Sequence, residues 1–290
     1  MSQQKQQQPG AMPMSMQRKT NVHIQQMKEK GEMISMVGTA HCDPFWTMAC
    51  ERAGVDMVRY TTQGENSEMR EENMYWHTRN IRKMAPNINL NAVMQSRSYA
   101  DKYTAVKVAS TLVTDGADNV LAMGITNDTL KYMADNYIPV FGHVGCLSGW
   151  YSMWHGGYRR VGKTAEDAMK VFRMAYEYQE NGMIGMTIEL SSAQLTTAIS
   201  KKLRVPVISV AASGEADGAE LVIFDLLGFQ PKSTMAKHSK CYAEFFEGGI
   251  KAFTEFDSDV KNKVYPAEEH GWSMDEKEFD KFLNELEQKY

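Results

Sequence analysis

With 290 residues, the chain is long enough for one (β/α)8 barrel, which commonly takes about 250, so one main domain is the simplest organisation. A formal net charge of −4, with acids and bases interspersed, leaves no basic stripe for a phosphate backbone and points away from nucleic acid. No run approaches the roughly 18 apolar residues of a membrane span.

The amino terminus is glutamine-rich rather than charged and then apolar, so a cytoplasmic protein is expected. Cys42, Cys50, Cys146 and Cys241 include no C-x-x-C pair, which fits free thiols in a reducing compartment. Methionine is abundant at 22 residues and is read as polarizable core filling.

Residues 1–22, rich in Gln, Met, Pro and Ser, lack helical or strand periodicity and are predicted to be a disordered tail. Short apolar runs follow at helical intervals: Met33–Val37, Val55–Tyr60, Ile88–Val93, Asn119–Met123, Ile138–Phe141, Ile184–Glu189, Pro206–Val210 and Leu221–Phe224. This is the pattern of repeated β-α units, and it predicts an α/β chain with a TIM-type barrel over 23–271.

Thr164 is the predicted N-cap of a helix whose apolar face comprises Met169, Val171, Phe172, Ala175 and Tyr176, with Gly182 as its stop. The residues 272–290 are predicted to be an added C-terminal helix. Ser273-Met274-Asp275-Glu276 is a capping-box pattern, and Phe279, Phe282, Leu283 and Leu286 share one side, to pack on the barrel or a neighbouring subunit.

Gly157 to Thr164 satisfies G-x-x-x-x-G-K-[ST], the phosphate-cradling loop. That loop should leave a strand directly, whereas Ser148 to His155 precedes it here, so the match is read as incidental.

Several stretches together carry a resemblance: Ala53-Gly54-Val55-Asp56, Tyr75-Trp76-His77-Thr78, Gly142-His143-Val144-Gly145, Gly156-Gly157-Tyr158, Gly162-Lys163-Thr164, Ile188-Glu189, Asp225-Leu226-Leu227-Gly228 and Pro266-Ala267-Glu268-Glu269-His270. In this order, over about residues 33–271, the chain resembles ketopantoate hydroxymethyltransferase, of the phosphoenolpyruvate mutase and isocitrate lyase superfamily. The resemblance implies a barrel with its site at the carboxyl ends of the strands, and a large homo-oligomer, commonly a decamer. It also implies Mg2+ held by carboxylates after the second, third and fourth strands, chelating a 2-oxo acid whose enolate accepts a hydroxymethyl group from methylenetetrahydrofolate.

At the positions that resemblance assigns to the metal and oxo-acid clamp, this sequence has Thr62 and Gln63, then Val93, then Leu121 and Met123. Hard Mg2+ takes oxygen ligands, so Mg2+ is not expected and no cofactor is assigned, methylenetetrahydrofolate remaining the donor implied by resemblance. His143 and Glu189 match the family's site histidine and acid/base carboxylate. Glu189, among apolar neighbours and without a metal, is expected to have its pKa raised by desolvation, as suits proton transfer near neutral pH. The structural alternatives are a retained scaffold carboxylate and a buried hydrogen-bonded histidine.

Thr62, Gln63, Val93, Gln95, Met123 and Asp43 are the predicted substrate-binding residues for a small carbonyl compound. His41, Cys42, Cys146, His143 and Met123 would make a soft-metal site, or a cysteine a nucleophile, as lesser readings. Asp217, Gly218 and Asp225 are read as barrel scaffold, and Glu65, Glu68, Glu71 and Glu72 as a solvated face and helix start. The expected function is carbon-carbon bond making or breaking by a diverged hydroxymethyltransferase-like enzyme, with a catalytically silent metabolite-binding or assembly subunit as the alternative.

Overall fold

Seven of the eight apolar runs coincide in whole or large part with a strand, whereas the eighth is corrected: its strand is Gly218–Val222, and Ile223-Phe224 already begin a helix. The eight strands close on themselves in sequence order as a parallel barrel. The computed structural model describes residues 17–39, 43–62, 64–147, 151–154, 156–212 and 214–290. The strands are β1 (Ile34–Thr39), β2 (Met57–Tyr60), β3 (Asn89–Val93), β4 (Asn119–Leu121), β5 (Val140–Gly145), β6 (Gly185–Glu189), β7 (Val207–Val210) and β8 (Gly218–Val222). Helices α1 (Asn21–Lys30), α2 (Pro44–Arg52), α3 (Ser67–Met84), α4 (Lys102–Thr114), α5 (Asn127–Asp135), α6 (Tyr151–Trp154), α7 (Ala165–Glu180) and α8 (Ala193–Lys202) precede or separate them. Three more follow the barrel: α9 (Ile223–Leu227), α10 (Phe245–Lys261) and α11 (Glu276–Lys289). Among the described residues no helix is long and apolar enough to cross a membrane.

The period of two along each strand separates two environments. Outward-facing Val58, Tyr60, Leu90, Ala92, Val120, Val140, Val144, Met186, Ile188 and Val207 join the apolar layer beneath the helices. Inward-facing Ile34, Met36, Met57, Phe141 and Ile208 fill the lower barrel, and Ile24 from α1 closes it from below.

Above that plug the interior is polar. Arg59 of β2 donates from Nε to Asn91 at 2.7 Å, from Nη2 to Thr187 at 2.6 Å, and from Nη1 to Glu220 at 2.5 Å. The two charged side chains are only 11% and 5% exposed. Gly38 makes room for them: a Cβ there would stand 2.9 Å from Glu220 Oε1. Asn91 donates on to Asn119, whose own amide donates to Asn89 and to Asn21 at the start of α1.

The amino-terminal segment is held at the barrel floor by acids that each precede a strand. Lys19 meets Asp56, Arg18 and Arg82 both meet Asp118, and Lys28 meets Asp217. The tail boundary at residue 22 is therefore corrected, because residues 18–22 already make specific contacts and α1 begins at Asn21; residues 1–16 lie outside the described residues. A single buried apolar residue, Ile24, is too weak a periodic signal to mark this helix from sequence.

Thr164 does cap α7, accepting from Asp167 N, but the buried face is Val171, Ala175, Tyr178 and Gln179, with Met169 and Tyr176 outside it. The barrel limit at 271 also changes. The barrel unit reaches residue 226 and includes 236–241, whereas 227–235 and 242–290 form a second compact unit. In that unit Phe229 packs edge-on to Phe245, and Phe256 and Tyr265 make a further aromatic contact. Asp275, not Ser273, caps α11, accepting from Lys277 N and Glu278 N. No residue of α10 or α11 is buried, and Phe253 is 75% exposed.

Arg59→Met should destabilise the protein by about 3–5 kcal/mol, because it leaves the Glu220 carboxylate buried without its partner. The paired Arg59→Met/Glu220→Met variant should recover most of that loss. Urea unfolding midpoints of the two variants make the comparison.

Candidate active site

His143 and Glu189 approach because β5 and β6 are paired with His143 opposite Thr187 and Gly145 opposite Glu189. Both side chains then project inward, two residues apart in register. His143 Nε2 lies 2.9 Å from Glu189 Oε2, deep in the barrel mouth, where His143 is only 3% exposed.

Three adjacent strand ends turn through the left-handed region here: Gly145 (φ 86°), Leu190 (φ 49°) and Ala211 (φ 51°). For Leu190 and Ala211 this costs roughly 1–2 kcal/mol each, a kind of strain that gathers at functional strand ends. At Gly145 a Cβ would lie 2.4 Å from the Glu189 carbonyl, so glycine permits the close approach. Cys146 N donates to that same carbonyl at 2.9 Å.

The neighbours of the histidine specify one of its protons. Nε2 faces both Glu189 Oε2 and, at 3.1 Å, the Cys146 carbonyl, and a carboxylate and a carbonyl only accept; Nε2 therefore carries hydrogen. Nδ1 is buried, with no hydrogen-bond partner among the described residues.

Glu189 is engaged at both oxygens, because Tyr158 donates its hydroxyl to Oε1. Burial is the largest single influence on Glu189 and raises its pKa. The hydrogen bond and charge of His143, the Tyr158 hydroxyl and the charge of Arg59 together outweigh burial and leave the value below the ordinary carboxylate range. The sequence-based expectation of a raised pKa is thus corrected, since it counted desolvation and not these three partners. Tyr158 moves the other way, held up by burial and by Glu189.

The remaining predicted residues are distributed around the mouth. Thr62 is buried just past β2, and Met123 is half-buried beyond β4 with its carbonyl accepting from Tyr99 at 2.8 Å. Val93 and Gln95 line a small cavity shared with Glu71, Met74, Tyr75, Val108 and Leu112, on the side facing α3 and α4. Asp43 caps α2, its Oδ1 accepting from Phe45 N and Trp46 N, so that oxygen is committed to the helix start. Gln63, His41 and Cys42 lie outside the described residues.

Glu71 is not simply solvated: its carboxylate accepts from Ser98 at 2.6 Å and Tyr75 at 3.0 Å. Cys146 is buried, and burial followed by the Glu189 charge pushes its thiol up, against the influence of Arg159; this opposes a thiolate nucleophile. The Gly157–Thr164 match follows helix α6 rather than a strand, and its Tyr158 faces a carboxylate, so it has no phosphate cradle. Arg59 and Tyr158 were missed from sequence. A charged residue inside an otherwise apolar strand was the signal for Arg59; Tyr158 gave none beyond its place beside Gly156-Gly157.

The family model described as ketopantoate hydroxymethyltransferase matches residues 18–268, and the chain belongs to this family. It is 34% identical over 269 residues to the 3-methyl-2-oxobutanoate hydroxymethyltransferase of Hyperthermus butylicus, covering 89% of this chain and 92% of that protein. Identity is 30% over 294 residues to the 3-methyl-2-oxobutanoate hydroxymethyltransferase 1 of Methylibium petroleiphilum, covering 96% and 97%. Among solved structures, 2,3-dimethylmalate lyase of the PEP mutase/isocitrate lyase superfamily superposes with a TM-score of 0.51 at 11% identity, over 85% of this chain and 88% of that one. Oxaloacetate acetylhydrolase superposes with a TM-score of 0.52 at 9% identity, over 82% and 96%. Both likenesses concern the fold.

A Mg2+ ion taken up as the resemblance implies would meet a hydroxyl at Thr62, an alkyl group at Val93 and a thioether at Met123. These do not fit a hard cation that takes oxygen ligands. Among the described residues, no group of three or more His, Cys, Asp or Glu is placed to hold a metal.

The Glu189 shift has a defined sign for stability. Its folded pKa lies below the unfolded value of about 4.3, so the ionised carboxylate contributes stability above that pH and loses it as pH falls through the folded value. Glu189→Gln should therefore show a shallower loss of stability in acid than the wild type. Denaturant midpoints measured between about pH 7 and pH 3 test this; equal slopes would count against it.

Proposed function

We propose that this chain is a hydroxymethyltransferase-like enzyme that makes or breaks a carbon-carbon bond in a small carbonyl compound of the 2-oxo-acid type. Glu189 is its acid/base group, paired with His143, and Mg2+ is not its electrophile. The observation that carries the reading is the 2.9 Å contact between His143 and Glu189 in the mouth of a barrel whose positions 62, 93 and 123 are uncharged.

Glu189 would take a proton from the carbon beside the carbonyl, and the enolate carbon would form a bond to the methylene carbon of the one-carbon donor, both of whose carbon–nitrogen bonds break as tetrahydrofolate leaves and water supplies the hydroxyl oxygen; the reverse sequence breaks the carbon–carbon bond. Methylenetetrahydrofolate is the donor that the family resemblance suggests. A metal ion supplies several kcal/mol of charge stabilisation to such an enolate, whereas a neutral hydrogen bond contributes about 1 kcal/mol net. Donors such as the Thr62 hydroxyl therefore do not replace it. A carboxylate with a lowered pKa is also a weaker base, which compounds the deficit. Both points favour a substrate more readily enolised than a simple 2-oxo acid.

The same engagement of both Glu189 oxygens supports the second reading, a member that binds a metabolite or serves assembly without turnover. Assembly into a homo-oligomer, a decamer by resemblance, is supported by the apolar faces of α10 and α11, which nothing within those helices buries.

Purified protein is incubated with 3-methyl-2-oxobutanoate and methylenetetrahydrofolate, with Mg2+ or with EDTA, beside Glu189→Gln. With 3-methyl-2-oxobutanoate little or no turnover is expected, whereas a more acidic carbonyl substrate in its place should show turnover that survives EDTA and falls about 100-fold or more in the variant. Turnover that requires Mg2+ overturns the metal-free reading, and its absence under both conditions, across more acidic carbonyl substrates as well, favours the silent member.

A further inference from the structure

The two hydrogen bonds to Glu189 come from different kinds of place. His143 is rigidly buried on β5, whereas Tyr158 is 57% exposed and stands on the segment between α6 and α7. An exposed tyrosine reaching a carboxylate would ordinarily be one rotamer among several. Here the segment is pinned on both sides of it.

Gly157 N donates to the Ser152 carbonyl of α6 at 2.7 Å. Beyond the tyrosine, Val161 N donates to the Leu190 carbonyl at 2.9 Å, and Val161 forms an isolated parallel bridge with Ser191. Gly162 N donates to Asp167 Oδ2 at 2.6 Å, at the start of α7. The left-handed turn at Leu190 immediately follows Glu189, so the residue bearing the carboxylate and the anchor of the tyrosine's loop are consecutive in the chain. Movement of one carries the other.

We propose that Tyr158 is a positioning residue for the acid/base carboxylate: delivered by a loop anchored to the end of β6, it holds Oε1 while His143 holds Oε2, and so fixes the plane of the carboxylate toward the barrel mouth. This rests on the acid/base role of Glu189 proposed above. A carboxylate gripped at one oxygen rotates about its last bond, whereas one gripped at both presents the same lone pairs to every substrate molecule. A hydroxyl bonded to an ionised acceptor is also stronger than a neutral pair and favours the ionised form. The other charged or titratable groups acting on Glu189 are His143 from β5 and Arg59 from β2, with the Cys146 thiol beyond β5 on the same side.

The test is Tyr158→Phe, which keeps the ring and removes the donor, compared with Tyr137→Phe, a 94% exposed site outside the mouth. Infrared titration of the carboxyl band, with the Glu189→Gln spectrum subtracted, reads Glu189 alone. Tyr158→Phe is expected to raise the Glu189 titration by about one pH unit, with Tyr137→Phe leaving it in place. With a turned-over substrate, the acid limb of the pH profile should move in the same direction and kcat should fall about tenfold with KM little changed. An unchanged titration in a variant that remains folded by its thermal transition overturns the proposal, even if activity is lost, since it would leave Tyr158 a packing or substrate contact. Absence of turnover in the wild type would defeat the functional reading alone, because the titration still reports whether Tyr158 holds the carboxylate.

Discussion

A buried guanidinium organises the interior of this barrel. Arg59 spans from β2 to β6 and β8, and removing its charge from water is tolerable only because Glu220, Asn91 and Thr187 receive its N–H groups. This belt links β2 and its neighbour β3 to β6 and β8, which border neither, and the Asn91–Asn119–Asn89 chain carries it down to the first turn of α1. The arrangement needs Gly38 at β1, where any larger side chain would meet the Glu220 carboxylate. Whereas an apolar interior would be filled by shape alone, this one requires a matched set of donors and acceptors, which ties the barrel register to a few specific residues.

The belt also shapes the site above it. Thr187 is opposite His143 in the β5–β6 register, and Glu189 follows it by two residues on the same inward face. Arg59 therefore adds positive charge from beneath to a carboxylate already held by His143 and Tyr158. Burial alone would favour a neutral acid; the partners reverse that outcome and leave an ionised, well-oriented, weakly basic group.

Family membership coexists without conflict with uncharged residues at positions 62, 93 and 123. Identity of 30–34% extends over nearly the whole chain. Thr62, Val93 and Met123 are three uncharged side chains following or ending three strands. One barrel supports many reactions through its strand ends, so membership places the site but does not specify its chemistry.

Legible in the amino-acid sequence were seven of the strands, the helix cap at Thr164 and the pair of residues to watch, because each depends on local periodicity, turn chemistry or a short matching stretch. That positions 62, 93 and 123 are uncharged is likewise a matter of residue identity alone. Only the tertiary structure decided the sign of the Glu189 shift, since Arg59, His143 and Tyr158 come from residues 59, 143 and 158 and their distances to residue 189 are set by barrel closure. For the same reason it alone revealed α1 as the barrel floor: Lys19, Asn21 and Lys28 read as ordinary polar residues until Asp56, Asp118 and Asp217 are brought beneath them. Local signals specify elements, whereas charge compensation across a closed barrel is a property of the fold.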